Sequence, residues 1–324
     1  LFRRISMKLT VTIFCVLLFA SCVEKYFDYG VSTQEPLLVV EALINDTSEN
    51  QLVVLSQAAS LNYPVLSRFE DCIVHVTDFN GNEFLFEEDD TNPGHYKGII
   101  EYDYLVSGNK FKLYVQTPQG KVYETAYEEM LVSAPIDSIY YELDDENFTN
   151  SDDVGETGLQ FYTDINAADN FSKHYRYRFI ETYEYRSTWP IKDYLYGVMV
   201  SLPIEDYSKF VCFSTEYVSG IFHRSLQYAS VEGTYKIPLH FVSTKSQRLM
   251  HRYTVLVEQM AISKQAFEYW EQMSKNINEG SGVFGSQPIN AYGNVKCLQD
   301  PDEKVLGYFG VSSINVKRIF VDAL

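Results

Sequence analysis

A period of two runs through most of this chain, and it constrains the fold more than any other feature. Along residues 172–185, Tyr175, Tyr177 and Phe179 fall on one face and His174, Arg176 and Arg178 on the other. Successive side chains of a strand point to opposite faces, so this text predicts a half-buried strand rather than a helix. Residues 72–79 repeat the pattern, with Cys72, Val74 and Val76 together. Asn80-Gly81 follows, and both residues tolerate positive φ, which predicts a hairpin into residues 83–87.

Runs at 37–44, 51–58, 72–79, 83–87, 94–100, 110–116 and 121–127 read as short strands separated by turn text. That spacing predicts an immunoglobulin-like β-sandwich over residues 35–134. Ala134-Pro135 marks a boundary, because proline biases the residue before it toward extended structure. A second antiparallel β domain is expected over residues 135–324, with strands at 136–143, 159–165, 172–185, 210–218, 221–229, 235–242, 252–259, 305–311 and 317–321. It carries one packed α-helix near 263–278. Ser263 is the expected N-cap, and Phe267, Trp270, Met273 and Ile277 recur at helical spacing. The fold class expected is therefore mainly β, a sandwich followed by a β domain with one helix. Residues 189–203 hold two prolines and several tyrosines and have no readable period.

The beginning of the sequence reads as an address. Arg3, Arg4 and Lys8 precede an apolar stretch over residues 9–19, and Ala20-Ser21 supply small residues before Cys22. The apolar stretch is shorter than the roughly 20 residues a spanning helix needs, and it fits a cleaved export signal. Residues 1–21 are expected to be a bacterial lipoprotein signal starting at Met7, with Cys22 the lipidated first residue of the mature protein. The alternative is an ordinary secretory signal with an incidental cysteine. Residues 22–34 read as a tether. Each buried methylene of an acyl chain is worth about 0.8 kcal/mol, so two or more chains give stable membrane anchoring.

Composition narrows the function classes. The formal charge of −18 weighs against nucleic-acid binding, which needs a basic footprint. Cys72, Cys212 and Cys297 are widely and irregularly spaced, which predicts unpaired buried thiols and neither a zinc site nor a disulfide framework. The sequence has no G-x-S-x-G elbow, H-E-x-x-H helix or P-loop. His174 and His251 sit on or beside strands, where a structural role is the ordinary one. The acidic runs Glu87-Glu88-Asp89-Asp90 and 142–156 are compatible with calcium but lack the register of a dedicated loop, so solvated acidic loops are expected. Asp152/Asp153 are a poor basis for glycoside hydrolysis. Asp137-Ser138-Ile139 has the look of a short O-glycosylation acceptor, or of a plain strand edge. No metal or cofactor is expected. Aromatics make up 15% of the chain, enough to supply surfaces as well as a core. Trp189, Tyr183, Tyr185 and Tyr194 are accordingly the candidate ligand or partner contacts, with core packing the competing reading.

An ordered set of segments resembles one family. After the lipoprotein cysteine come Glu35-Pro36-Leu37-Leu38-Val39-Val40-Glu41-Ala42, Val74-His75-Val76-Thr77-Asp78-Phe79-Asn80-Gly81-Asn82 and Gly94-His95-Tyr96. Pro135-Ile136-Asp137-Ser138-Ile139-Tyr140 and Tyr269-Trp270 follow. Gly293-Asn294-Val295 and Leu306-Gly307-Tyr308-Phe309-Gly310-Val311-Ser312 close the set. Together they resemble the Bacteroidetes outer-membrane lipoproteins grouped as domain of unknown function 4249. The resemblance implies a setting, because genes of that family commonly neighbour those of TonB-dependent outer-membrane transporters. The expectation is a non-enzymatic, lipid-anchored, surface-exposed outer-membrane lipoprotein that acts as an accessory subunit of such a transporter in nutrient uptake. The alternative is a stand-alone surface lipoprotein that binds a glycan or peptide. An enzyme would need histidines and carboxylates from distant segments to converge in a cleft.

Overall fold

A computed structural model of the chain describes residues 37–58, 67–147, 156–166, 171–228, 234–279 and 291–321. The expected signal, Cys22, the tether and Asp152/Asp153 lie outside these residues. The described chain is mainly β, built from sheets whose strand pairs are antiparallel with one exception, and carries one α-helix.

Eleven strands form the largest sheet. Along its path lie Val295–Cys297, Val122–Thr125, Lys110–Gln116, Ile73–Asp78, Glu83–Glu88, His95–Ile99, Asn50–Gln57, Leu38–Asn45 and Leu306–Ser312. Ser67–Arg68 and Glu128–Glu129 pair off that path. Alternation works here as the sequence predicts: Val74 and Val76 are buried while Ile73 and His75 are not. Asn80-Gly81 makes the turn, with Gly81 at φ +89°. Val40, Leu55, Val76, Phe111, Leu113 and Phe309 meet in one core.

The large sheet is completed by the end of the chain. Leu306–Ser312 lies parallel to Leu38–Asn45, with Val40 opposite Gly307. Val295–Cys297 pairs antiparallel with Val122–Thr125. Parallel neighbours need a long crossover, and here almost the entire chain supplies it. Residues 135–324, expected to form the second β domain, therefore also give two strands to the large sheet.

These C-terminal strands are clasped by close backbone contact. A Cβ on Gly307 would lie 1.9 Å from Val40 O, and one on Gly293 would lie 1.7 Å from Gly307 O. Between them, the Asn294 side chain donates to Phe309 O at 2.8 Å and accepts from Phe309 N–H at 3.0 Å. It also donates to Glu128 Oε1 at 3.3 Å, which accepts from Tyr308 Oη at 2.8 Å.

The second body is two sheets facing across one core. One holds Ile136–Asn147, Glu156–Asn166 and Thr234–Ser243; the other holds Val211–Tyr217, His174–Arg186, Tyr253–Ala261 and Ile314–Val321, with Phe222–Ser225 off the path. Leu159, Phe161 and Ile165 from the first meet Tyr175, Tyr177, Phe179 and Val257 from the second. The helix Lys264–Glu279 is capped as expected, with Ser263 Oγ accepting from Ala266 N–H at 3.1 Å. Its Ala266 and Tyr269 pack with Met260, Ile314 and Tyr308. Trp270 and Phe267 are only partly buried against that cluster.

The cysteines depart partly from expectation. All three are free, but only Cys297 is buried; Cys72 and Cys212 are half-buried. Cys72 sits just before its strand and Cys212 lies on the sheet-edge strand Val211–Tyr217, so neither is covered on all sides.

Candidate functional site

The segment without a readable period is the most unusual part of the fold. Among the described residues Ile191–Tyr196 and Val198–Asp206 pair only with each other, as a two-stranded sheet of their own. Gly197 makes the turn at φ +72°. The hairpin grows from the tip of the ladder between His174–Arg186 and Val211–Tyr217, whose last pair is Arg186 with Val211. Ser187 N–H donates to Phe210 O at 2.9 Å at its base. Pro203 sits within its longer strand, a position tolerated where a strand edge has no partner.

Its side chains face solvent. Leu195 is 82% exposed, Ile204 81%, Met199 74% and Val198 68%. The adjoining edge strand adds exposed Val211, Phe213 and Tyr217. An isolated hairpin is marginal in water, and large apolar side chains left exposed together on one element mark a candidate interaction surface. The free edges add unpaired backbone groups, able to extend another sheet. This combination is suited to recognising a protein or an apolar surface.

The four aromatic residues singled out from the sequence do not converge in one groove. Trp189, on the connection into the hairpin, is 77% exposed and makes no ring contact with the other three. Tyr194 is exposed, and its hydroxyl donates to Asp206 across the hairpin. That hydrogen bond pushes the phenol up from its ordinary pKa and holds the Asp206 carboxyl below the usual carboxylate range. Tyr185 is exposed with Cys212 beside it, which pushes its phenol up. Tyr183 is packed against the core of the second body. The aliphatic residues that dominate the surface went unnoticed in the sequence. The signal that marks them is Tyr196-Gly197-Val198, a glycine turn between two apolar runs.

Other sequence candidates are engaged within the chain. Glu88 accepts from Asp71 N–H at 2.8 Å and Gly94 N–H at 2.7 Å, and Asp89 pairs with Lys97. Glu142 pairs with Lys236 at 2.6 Å. Ser138 Oγ donates to Asp164 Oδ2 at 2.8 Å. His174 packs beside Phe267. Among the described residues no three His, Cys, Asp or Glu come together as metal ligands. No described helix is long and apolar enough to cross a membrane.

Comparison with known proteins gives one broad match. The model of a family described as Domain of unknown function (DUF4249) matches residues 24–318. No curated protein matches. Among solved structures, trypsin-activated alpha-2-macroglobulin from Escherichia coli is similar at 8% identity and a TM-score of 0.17. The match covers 71% of this chain and 15% of that one, so the chain spans only a small part of that protein, and a likeness this low carries no argument.

Proposed function

This chain belongs to the DUF4249 family, and on that premise we propose that it is a non-enzymatic outer-membrane lipoprotein that serves as an accessory subunit of a TonB-dependent transporter. Cys22 holds it to the membrane by lipid, and the hairpin Ile191–Asp206 docks on the transporter. Its first body is read as an immunoglobulin-like sandwich; the run of short antiparallel strands around one core supports that reading. The observation that carries the docking role is the apolar surface of the hairpin, with Leu195, Met199 and Ile204 each more than 70% exposed. Removing such side chains from water is worth about 1.5–3 kcal/mol each, and this fold leaves that gain to a partner.

Purification of the native protein from detergent-solubilised outer membrane tests the proposal. Wild type is expected to recover a TonB-dependent transporter, and Leu195→Lys with Met199→Glu is expected to lose it. Recovery of no transporter at any stoichiometry overturns the reading. Cys22→Ser is expected to release a folded protein from the membrane fraction. Wild-type growth with a soluble periplasmic form would remove the anchor from the account. Exposed Trp189 supports a second reading, a stand-alone glycan- or peptide-binding lipoprotein. On that reading Trp189→Ala abolishes ligand binding while transporter capture is never seen.

A further inference from the structure

The strand His174–Arg186 has two successive partners along one edge. Val211–Tyr217 pairs with residues 180–186, and Phe222–Ser225 pairs with residues 174–177. Between them the chain turns a corner through Gly220, at φ +123°, held by Val218 N–H donating to Phe179 O at 3.0 Å. The break in the edge leaves an open cleft of about 260 Å³ lined by Arg176, Arg178, Tyr217, Val218 and Phe222.

Arg176 and Arg178 line this cleft from alternate positions of one strand, which places their Cα atoms about 7 Å apart on the same face. In the second body Arg224 donates to the carbonyls of His223 and Pro238, and Arg178, Arg186, Arg248 and Arg252 each reach a carboxylate. Arg176 does not. Its guanidinium stacks on Trp270, 3.7 Å from the ring centroid, and its Nε is buried with no hydrogen-bond partner. Arg176 and Glu128 both line a smaller cavity of about 30 Å³, where Glu128 Oε1 accepts from Tyr308 and Asn294 and no ion pair to Arg176 forms. In a chain with 44 acidic and 26 basic residues, a half-buried arginine without a carboxylate is out of keeping with its surroundings. Burial and the neighbouring Arg178 push Arg176 down to about 10, so it still carries its charge at neutral pH. Buried charges are ordinarily paired, and the planar fork of arginine matches a carboxylate edge.

We propose that this cleft binds a small organic carboxylate with an apolar body, its carboxylate bridging Arg176 and Arg178 and its body lying against Tyr217, Val218 and Phe222. Arg178 is already paired with Glu258, so the cleft offers one uncompensated positive charge, which suits a monoanion. The volume suits a ligand smaller than a typical drug. This site lies off the docking hairpin Ile191–Asp206 and shares only Tyr217 with the apolar edge strand beside it, so the two are tested separately.

Phenylacetate is a suitable probe, with neutral phenylacetamide and phenyl phosphate beside it. Ligand-observed NMR on the full chain measures occupancy. Trp270 fluorescence reports location, because the chain has only two tryptophans and Trp189→Phe leaves Trp270 alone. Phenylacetate is expected to bind saturably in the millimolar range and to shift Trp270 emission. Phenylacetamide is expected to bind at least tenfold more weakly. Arg176→Met is expected to abolish the response, and Arg178→Ala, at a more exposed position, to weaken it about tenfold with only a modest fall in melting temperature from the loss of its pair with Glu258. The second variant keeps the test intact if the first folds poorly. Equal binding of the amide, an unchanged response in Arg178→Ala, or no saturable response below tens of millimolar overturns the proposal. Tighter binding of phenyl phosphate than of phenylacetate overturns the carboxylate assignment.

Discussion

The C-terminal clasp and the exposed hairpin are written in similar amino acids and meet opposite fates. Each is a short apolar stretch containing a positive-φ glycine. In the clasp, Phe309 is fully buried, and the backbone at Gly307 touches that of Val40. In the hairpin, Leu195 and Ile204 remain more than 80% exposed, and a Cβ on Gly197 would meet nothing within 4 Å. Local sequence sets strand and turn in both places. What differs is whether another part of the chain arrives to cover them. The clasp is held by residues more than 150 positions away, Glu128 and Val40 among them, whereas among the described residues the hairpin's strands pair with nothing but each other. An apolar surface left open in this way is what the proposed docking role requires.

The largest test of that contrast exchanges one glycine. Gly307→Ala places a methyl 1.9 Å from Val40 O at a backbone angle of +83°, where the nearest atoms are backbone and have little room to move. Loss of stability on the order of 3 kcal/mol or more is expected, read as a fall in the urea midpoint at constant slope. Gly197→Ala meets open space at φ +72° and is expected to cost about 1–2 kcal/mol within the hairpin itself, with no shift in the global midpoint. Equal effects at the two glycines would break the comparison.

Asn294 probes the clasp without a clash. Asn294→Ala leaves the buried N–H and C=O of Phe309 without their side-chain partner and removes one donor from Glu128. Leaving buried groups unsatisfied costs about 1–3 kcal/mol, so a destabilisation of about 2 kcal/mol is expected. Faster amide exchange at Phe309 should accompany it. Unchanged exchange there would mean that the glycines alone hold the clasp.

Whatever depended on one-sided burial was legible in the sequence. The strand His174–Arg186 was readable because Tyr175, Tyr177 and Phe179 go inward together, and the helix was readable from Ser263 and the spacing of Phe267, Trp270 and Met273. The signature Gly293-Asn294-Val295 was visible as text, but its purpose depends on Phe309, Gly307 and Glu128, which no local pattern connects. The hairpin was illegible for a different reason. Periodicity detects a strand by the difference between its two faces, and here both faces meet solvent, so Val198-Met199-Val200 reads as an unbroken apolar run. The arginine cleft was half legible. Alternation placed Arg176 and Arg178 on one face, but the broken edge that opens a space beside them arises from the corner at Gly220, some forty residues later.

The smallest expected effect on stability falls where the largest effect on association is expected. Leu195 and Met199 face each other across the hairpin, so Leu195→Lys with Met199→Glu replaces an apolar pair by an attractive one and keeps the register. Because neither side chain is buried, the global stability should change by no more than about 0.5 kcal/mol, measured by urea unfolding of the purified full chain. Solubility should rise, because an exposed apolar edge is an aggregation liability. If the double variant instead unfolds early, the hairpin is covered by its own chain and the docking role loses its support. If it is stable and still captures its partner, the partner must be recognised elsewhere. Only stability retained together with capture lost fits a surface whose burial is completed by a second protein.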